Sequence, residues 1–203
     1  MRHAVARLRA ERIARSEKPF LARGCKAVRC PECRLAVSHC LCAWRPQVEA
    51  RSGVSLLMHD VEALKPSNTG WLIADVVRDT SAFGWSRVEV DQRLLGLLDD
   101  PQWQPYLVFP GEYAAPERVV SEVCTTQGKR PLFVLLDATW SEARKMFRKS
   151  PYLDRFPVLS LEVYEQNLRA CAFYQKLGFS PIKRTFPAET NAPAQIMQWE
   201  KRA

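Results

Sequence analysis

The feature that most constrains the fold is an apolar run that leads directly into a helical pattern in the second half of the chain. "RPLFVLLD" (130–137) contains five consecutive large apolar residues, which is typical of a strand buried on both faces of a sheet. In "TWSEARKMFRKS" (139–150), Trp140, Ala143 and Phe147 recur at helical spacing and predict one buried stripe. A buried strand followed at once by a helix is the repeating unit of a parallel α/β sheet.

The same alternation runs through the rest of the chain. We predict strands at 53–59, 86–90 and 105–111, and helices at 5–23, 68–79 and 116–126. With 203 residues, of which 47% are apolar, the chain is long enough to bury a substantial core. The sequence therefore predicts an α/β domain with a mainly parallel sheet.

The positive charge of the chain is concentrated at its N-terminus. Residues 1–51 contain twelve Lys and Arg against four Asp and Glu, which accounts for the whole net charge of +8. A localised basic segment attracts phosphate backbones in a salt-dependent way. A solvated basic arm without a nucleic-acid partner explains the same pattern, and the charge alone leaves both interpretations open.

The sequence also bears on the compartment. No stretch of eighteen or more uncharged apolar residues occurs, and the N-terminal residues lack the apolar centre of a signal peptide. We therefore expect a cytoplasmic protein with no membrane partner.

Four of the seven cysteines cluster in "CPECRLAVSHCLC" as Cys30, Cys33, Cys40 and Cys42. In a reducing compartment such spacing is typical of a metal site made of thiolates. Zinc fits best, because four thiolates complete its tetrahedral shell and leave no open position for water, so the site is structural. Alternative ligands are Cys25 and His39, and buried free thiols are a further alternative.

Unusual residues follow three of the predicted strands. His59 ends the first strand, "FPG" (109–111) ends another, and Asp137 ends the longest apolar run. In open α/β sheets ligands bind outside the carboxyl ends of the strands, so these ends predict a binding site. Asn68 or Thr69 begins the next helix, either as an ordinary cap or as an anion-binding terminus.

Three well-known nucleotide and esterase motifs are absent. The sequence contains no "GxxxxGK[ST]", no "GxGxxG" and no "GxSxG". Nucleotide hydrolysis, dinucleotide redox chemistry and esterase chemistry are therefore disfavoured.

Together, the cysteine cluster, "MHDVEALKPSNTG", "FPGE" and "LLDATWSEARKM" resemble the DTW-domain family, the tRNA-uridine aminocarboxypropyltransferases. That family is named for a D-x-T-W motif, matched here by Asp137, Thr139 and Trp140. The resemblance covers about residues 25–161.

The resemblance implies a fold, a donor and a reaction. The fold would be SPOUT-like, with a C-terminal knot, which is a rare exception to unknotted chains. The donor would be S-adenosylmethionine, whose 3-amino-3-carboxypropyl group is transferred to N3 of a tRNA uridine with release of methylthioadenosine.

The resemblance also implies site residues. Those matching the cofactor-binding loops are Phe109, Pro110, Gly111, Asn68 and Thr69, and the motif residues Asp137, Thr139 and Trp140 form the catalytic set. We expect Asp137 to remove or orient the N3 proton, Thr139 to cap the following helix, and Trp140 to pack. In the alternative interpretation Asp137 is itself the helix cap.

The C-terminal residues depart from this pattern. Residues 162–203 resemble the last motif of GNAT N-acetyltransferases, in which an asparagine (here Asn167), a "FY-KLGF" helix end (173–179) and a last strand follow one another. The pyrophosphate-binding turn of that fold is absent. We therefore predict a basic arm (1–24), a zinc-binding segment (25–45), a truncated DTW domain (46–161) and a GNAT-like tail (162–203).

The leading hypothesis is a tRNA-modifying enzyme that uses S-adenosylmethionine and contains zinc, with no DNA partner expected. A catalytically impaired zinc-containing RNA-binding protein is the alternative. An acetyltransferase is disfavoured, because the tail lacks the phosphate-binding turn.

Overall fold

The computed structural model describes residues 3–21, 27–46, 48–160, 163–176, 179–185 and 193–199. The helices are α1 (Ala4–Ala14), α2 (Gly70–Val76), α3 (Gln92–Asp99), α4 (Trp140–Arg148) and α5 (Leu168–Lys176). The strands are β1 (Gly53–Met58), β2 (Thr80–Gly84), β3 (Trp103–Val108), β4 (Val119–Val120), β5 (Arg130–Asp137), β6 (Val158–Leu159), β7 (Val163–Tyr164), β8 (Phe179–Thr185) and β9 (Ala194–Trp199).

Six strands form one sheet in the order β2-β1-β5-β3-β6-β4, and every pairing in it is parallel. All six residues of β1 are buried, as expected for a central strand covered on both faces. The prediction of an α/β fold with a mainly parallel sheet is confirmed. The C-terminal knot stays a prediction.

Helices cover both faces of this sheet. Successive side chains of a strand point to opposite faces, so a strand that is apolar throughout needs a covering layer on each side. On one face Leu57 packs in a core with residues of α3 and α4, including Leu94 and Met146. On the other face the neighbouring Leu56 packs in a second core with residues of α1 and α2, including Trp71. The sheet thus holds α4 and α2 on opposite sides while both remain close to its carboxyl edge.

Two of the predicted elements are wrong. Residues 86–90 form a loop in which Val88 is 96% exposed, and the strand lies earlier, at β2. Residues 116–126 do not form a helix. Pro116–Arg118 makes a single 3-10 turn, and the chain then extends as β4 because Val119 and Val120 pair with β6.

Other predicted elements differ from the observed ones in extent. Helix α3 was not predicted, and the N-terminal helix ends at Ala14 rather than near residue 23. The predicted strand at 130–137 coincides with β5, and the predicted strands at 53–59 and 105–111 correspond to β1 and β3.

The C-terminal residues form a separate sheet in the antiparallel order β7-β9-β8, and α5 contacts β7 and β8. A helix followed by a strand agrees with the predicted tail pattern. In α5 Cys171 is buried, while Leu168 and Ala172 are exposed. Within the residues described above, no helix has the length and apolar character needed to cross a bilayer.

Candidate functional site

The three strand ends singled out by the sequence meet at one edge of the sheet. Strand β5 lies between β1 and β3, so Asp137 is flanked by the residues that follow both neighbours. The backbone N–H of His59 donates to the carbonyl oxygen of Asp137 at 2.9 Å. The rings of Phe109 and Trp140 stack 5.5 Å apart, linking the end of β3 to the start of α4.

The side chain of Asp137 is held by Asn68, which lies at the start of α2. The amide Nδ2 of Asn68 donates to Oδ2 of Asp137 at 2.8 Å. Burial raises the pKa of Asp137, and nearby Glu62 raises it further, while the hydrogen bond from Asn68 and the charge of Lys65 act in the opposite direction. The net effect is a carboxyl group that takes up a proton more readily than one in water.

The buried side chain of Asn68 forms hydrogen bonds with both α2 and Asp137. Its Oδ1 accepts a hydrogen bond from the N–H of Trp71 at 3.0 Å, so it caps α2, while its Nδ2 binds Asp137. Thr69 is exposed and forms no capping hydrogen bond through its side chain. The cap predicted for this helix is therefore supplied by Asn68, and the same residue fixes the orientation of Asp137.

Gly70 lies in the motif "MHDVEALKPSNTG", but the sequence assigned no role to it. A Cβ atom at this position would lie 2.4 Å from Oδ2 of Asp137 and 3.2 Å from Oδ1 of Asn68. Only glycine lets the helix approach the carboxylate this closely. A glycine two residues after a capping Asn was the available signal, but its long-range partner was not visible in the sequence.

Glu62 and Lys65 add charges next to Asp137. Glu62 is buried in a 3-10 turn, and its Oε1 forms an ion pair with Nζ of Lys65. A buried carboxylate in an otherwise apolar turn requires a partner, and Lys65 provides it. The site therefore contains two neighbouring carboxyl groups and one ammonium group.

Thr139 is the N-cap of α4, as predicted, and Asp137 is not, so the alternative interpretation of Asp137 as the cap is wrong. The N–H and the hydroxyl of Thr139 both donate to Oε2 of Glu142, at 3.1 and 2.6 Å. The hydroxyl bond holds the pKa of Glu142 below its usual value. Oε1 of Glu142 lies 3.6 Å from Nδ1 of His59, whose ring stacks on Trp85.

The loop after β3, which was predicted to bind the cofactor, is more buried than such a role requires. The ring of Phe109 stacks between Trp140 and Phe147, with centroids 5.5 and 4.5 Å away, so it belongs to the core. Pro110 is half-buried and precedes a turn that begins at Gly111. A Cβ atom on Gly111 would lie 2.8 Å from Cγ1 of Val119, so the turn requires glycine for close packing.

The structure brings together the four predicted cysteine ligands. The sulfur atoms of Cys30, Cys33, Cys40 and Cys42 all lie within 4.8 Å of one another. Sγ of Cys30 is 3.6 Å from that of Cys42, and Sγ of Cys33 is 3.8 Å from that of Cys40. Tetrahedral zinc with Zn–S bonds of about 2.3 Å requires sulfur atoms about 3.8 Å apart, so the cluster could hold this ion.

The surroundings of the cysteine cluster favour a thiolate at Cys30 but not at Cys42, whose pKa is raised to about 12, chiefly by its hydrogen bond with Cys40. Backbone N–H groups of Cys33 and Glu32 lower the pKa of Cys30 to about 6. Nη2 of Arg45 donates to Sγ of Cys42 at 3.5 Å. His39 instead contacts Ser38 and is not among the clustered ligands, and Cys25 lies outside the described residues.

The cysteine segment, residues 27–46, packs against α2. Nε1 of Trp71 donates to the carbonyl oxygen of Glu32 at 3.0 Å, and the guanidinium of Arg34 lies over the Trp71 ring at 5.6 Å. Nη1 of Arg45 pairs with Asp75 at 2.8 Å. The helix that positions Asn68 is thus also the support for the cysteine cluster.

A family model described as the DTW domain matches residues 27–172 of the chain. The chain belongs to the DTW-domain family. The match contains both the cysteine cluster and the Asp137 site, and it implies a role in tRNA modification. It also extends beyond residue 161, where the predicted resemblance ended, into α5 of the C-terminal unit. No solved structure matches the chain significantly.

The family match does not test two of the predictions from the sequence. These are the resemblance of residues 162–203 to an acetyltransferase and the division of the chain into four segments. Leu177 and Gly178 of that motif lie outside the described residues. The DTW domain therefore accounts for the sheet and the cysteine segment, and the roles of single residues are proposals.

Proposed function

We propose that this DTW-domain protein is a tRNA-uridine aminocarboxypropyltransferase. It transfers the 3-amino-3-carboxypropyl group of S-adenosylmethionine to N3 of a tRNA uridine. The observation that carries the proposal is the half-buried carboxylate of Asp137, held by Asn68 at the carboxyl edge of a parallel sheet in a tRNA-modifying family. The reducing cytoplasm, where thiolates persist, is the proposed compartment.

The chemistry requires a base near N3, because this nitrogen bears a proton and is a weak nucleophile at neutral pH. As N3 forms its bond to the γ-carbon of the donor, the bond from that carbon to the sulfonium sulfur breaks, and sulfur keeps the electron pair. Methylthioadenosine leaves as a neutral thioether. The N3 proton passes to Asp137, whose raised pKa makes its carboxylate a stronger base.

Asn68 serves as a positioning residue in this scheme. Its amide is already engaged by Asp137 and by the Trp71 N–H, so it acts on the substrates through Asp137 rather than by direct contact. Thr69 is exposed beside it and is the better candidate for contact with the donor. In the loop after β3 the Phe109 ring is buried, so Pro110 and Gly111 are the candidates for contact with the donor in that loop.

Zinc in the cysteine cluster has a structural role in this proposal. Four thiolates fill the tetrahedral shell, so no position is free for a reacting group. The ion supplies the stability that the segment lacks, because Cys33 is the only buried hydrophobic residue among residues 27–46.

Asp137→Asn tests the catalytic assignment. We expect single-turnover transfer, measured by mass spectrometry of tRNA nucleosides, to fall about 100- to 10,000-fold while donor binding by calorimetry is retained. Asp99→Asn is the matched control, because Asp99 is exposed on α3 and contacts only the surface Arg155 in the described residues. Transfer by Asp137→Asn at the wild-type rate would refute the role of this carboxylate.

The catalytically impaired RNA-binding protein is the second candidate. It is favoured by the net charge of +8 carried by residues 1–51. The calorimetric titration separates the two, because only the transferase requires S-adenosylmethionine to bind. Binding of tRNA without any binding of the donor would support the second candidate.

A further inference from the structure

The cysteine segment exposes large apolar side chains that nothing in the described residues covers. Val28, Val37, Leu41 and Trp44 are between 55% and 81% exposed, with Trp44 the most exposed. Tryptophan is usually mostly buried, so an indole left this open is unusual. A projecting aromatic ring of this kind can stack on an unpaired base.

Three arginines cluster where this segment meets α1. Arg29 donates from Nη1 to the carbonyl oxygen of Arg34 at 3.1 Å, and Arg34 lies within electrostatic range of both Arg9 and Arg29. The Nε atoms of Arg9 and Arg29 are buried without a hydrogen-bond partner. In the described part of the chain, none of the three forms an ion pair with a carboxylate.

Three neighbouring guanidinium groups repel one another unless an anion lies between them. Arginine is well suited to bind phosphate, because its planar fork donates two parallel hydrogen bonds. The residues belong to the same N-terminal part, 1–51, that carries the net charge of the chain. Charge complementarity therefore favours a polyanion over an apolar or basic protein surface.

We propose that α1 and the cysteine segment form the docking surface for the tRNA substrate. Arg9, Arg29 and Arg34 bind backbone phosphates, and Trp44 stacks on an unpaired base. This proposal rests on the proposed function for the identity of the RNA, but its geometry is independent of the transfer reaction.

The docking surface is connected to the candidate site through α2. Arg34 covers the ring of Trp71, and the N–H of the same Trp71 is capped by Asn68, which binds Asp137. Trp71 is the second residue of α2, so Arg34 and Asn68 both contact the N-terminal end of this helix. The proposed docking surface and the Asp137 site therefore share that end of α2.

The test uses the full chain loaded with zinc and bulk deacylated tRNA as the probe. Affinity is measured by fluorescence anisotropy between 50 and 200 mM salt for the triple variant Arg9→Gln, Arg29→Gln, Arg34→Gln. Each phosphate contact contributes about 0.7 to 0.9 to the slope of log affinity against log salt, so we expect the slope to fall by about two to three. Trp44→Ala should weaken binding about 5- to 100-fold with the slope unchanged, and Trp44→Phe should retain most of the affinity.

The matched control removes three positive charges elsewhere, in Lys145→Gln, Arg148→Gln, Lys149→Gln, which are all exposed near the end of α4. Zinc content, measured for every variant, verifies that the cysteine cluster is intact. An equal loss of affinity in the control would show diffuse attraction and overturn the proposal, as would unchanged binding in the first triple variant or in Trp44→Ala. Self-association lost in Trp44→Ala with tRNA binding intact would assign the apolar surface to a second copy of the chain instead.

Failure of this proposal is distinguishable from failure of the proposed function. Calorimetry with S-adenosylmethionine tests the transferase without RNA, whereas the anisotropy measurements test the docking surface without the donor.

Discussion

Gly70→Ala should inactivate the site without unfolding the protein. The added Cβ would lie 2.4 Å from Oδ2 of Asp137, whereas ordinary contacts begin near 3.4 Å, so the carboxylate must move by about 1 Å. Because the clashing atom is the end of a side chain, it can move without a shift of the backbone. A displacement of about 1 Å at a reacting group costs on the order of 100-fold in rate.

The assay is single-turnover transfer with saturating tRNA and S-adenosylmethionine. We expect a rate about 100-fold below wild type, while the free energy of unfolding changes by no more than about 1.5 kcal/mol, the value of one hydrogen bond. Gly96→Ala is the matched control, because no atom lies within 4 Å of its added Cβ and Gly96 is inside α3. That variant should be more stable by about 0.5 to 1 kcal/mol and fully active.

A double variant tests whether the effect passes through the carboxylate. If Gly70→Ala acts by displacing Asp137, then combining it with Asp137→Asn should reduce the rate no further than Asp137→Asn alone. A wild-type rate for Gly70→Ala, or strictly multiplicative losses in the double variant, would refute the argument that the glycine exists to position this carboxylate.

Three further predictions concern pH, metal and packing. Burial raises the pKa of Asp137, so folding favours the neutral form of this carboxyl group. Its contribution to the free energy of unfolding is complete below the ordinary carboxyl pKa of about 3.9 and is lost as the pH rises through the raised pKa. Asp137→Asn should therefore be more stable than wild type in urea at pH 7 but not below about pH 4, and equal stability at pH 7 would contradict this. Removal of zinc by a chelator, or Cys33→Ser, should speed amide hydrogen exchange in residues 27–46 and leave β5 protected, because the sheet has its own core. Exchange that also increases in β5 would contradict that independence. Phe109→Ala should cost about 3 to 5 kcal/mol in thermal or urea unfolding, because its ring is buried between two others, and a much smaller loss would indicate a ring free to face the donor.

The central strands could be predicted because their sequence is apolar throughout. Strand β5 was predicted with its observed bounds, since a run such as "LFVLL" has few alternatives to a buried strand. Strand β2, "TSAFG", was missed because only Phe83 in it is fully buried, and its neighbour 86–90 has a stronger alternating pattern. Pairing with β1 outweighed the local pattern there, and this pairing cannot be predicted from the residues next to β2 alone.

The predicted helix at 116–126 shows the same limit. Pro116 and the acidic residue after it are a common helix start, and the chain does make one turn there. The next two valines then pair with β6, about forty residues later in the chain, and β-branched residues favour that outcome.

The site was predictable as a set of strand ends but not as a set of contacts. Asp137, Phe109 and His59 were brought together by the rule that parallel strands present their carboxyl ends at one edge. The bond between Asn68 and Asp137 joins residues 69 positions apart, and only the packing of α2 on β1 and β5 creates it. Glu62 and Gly70 lie in the motif that carries the resemblance, but their proximity to Asp137 could not be predicted for the same reason.

The close contact among Asn68, Gly70 and Asp137 also has an evolutionary consequence. A chain that lost the carboxylate at position 137 would no longer require glycine at position 70, and the amide of Asn68 would lose one of its two partners. We therefore expect these three positions to be inherited as one unit among active relatives. In relatives that have lost the activity, larger residues at position 70 should accumulate together with changes at position 137.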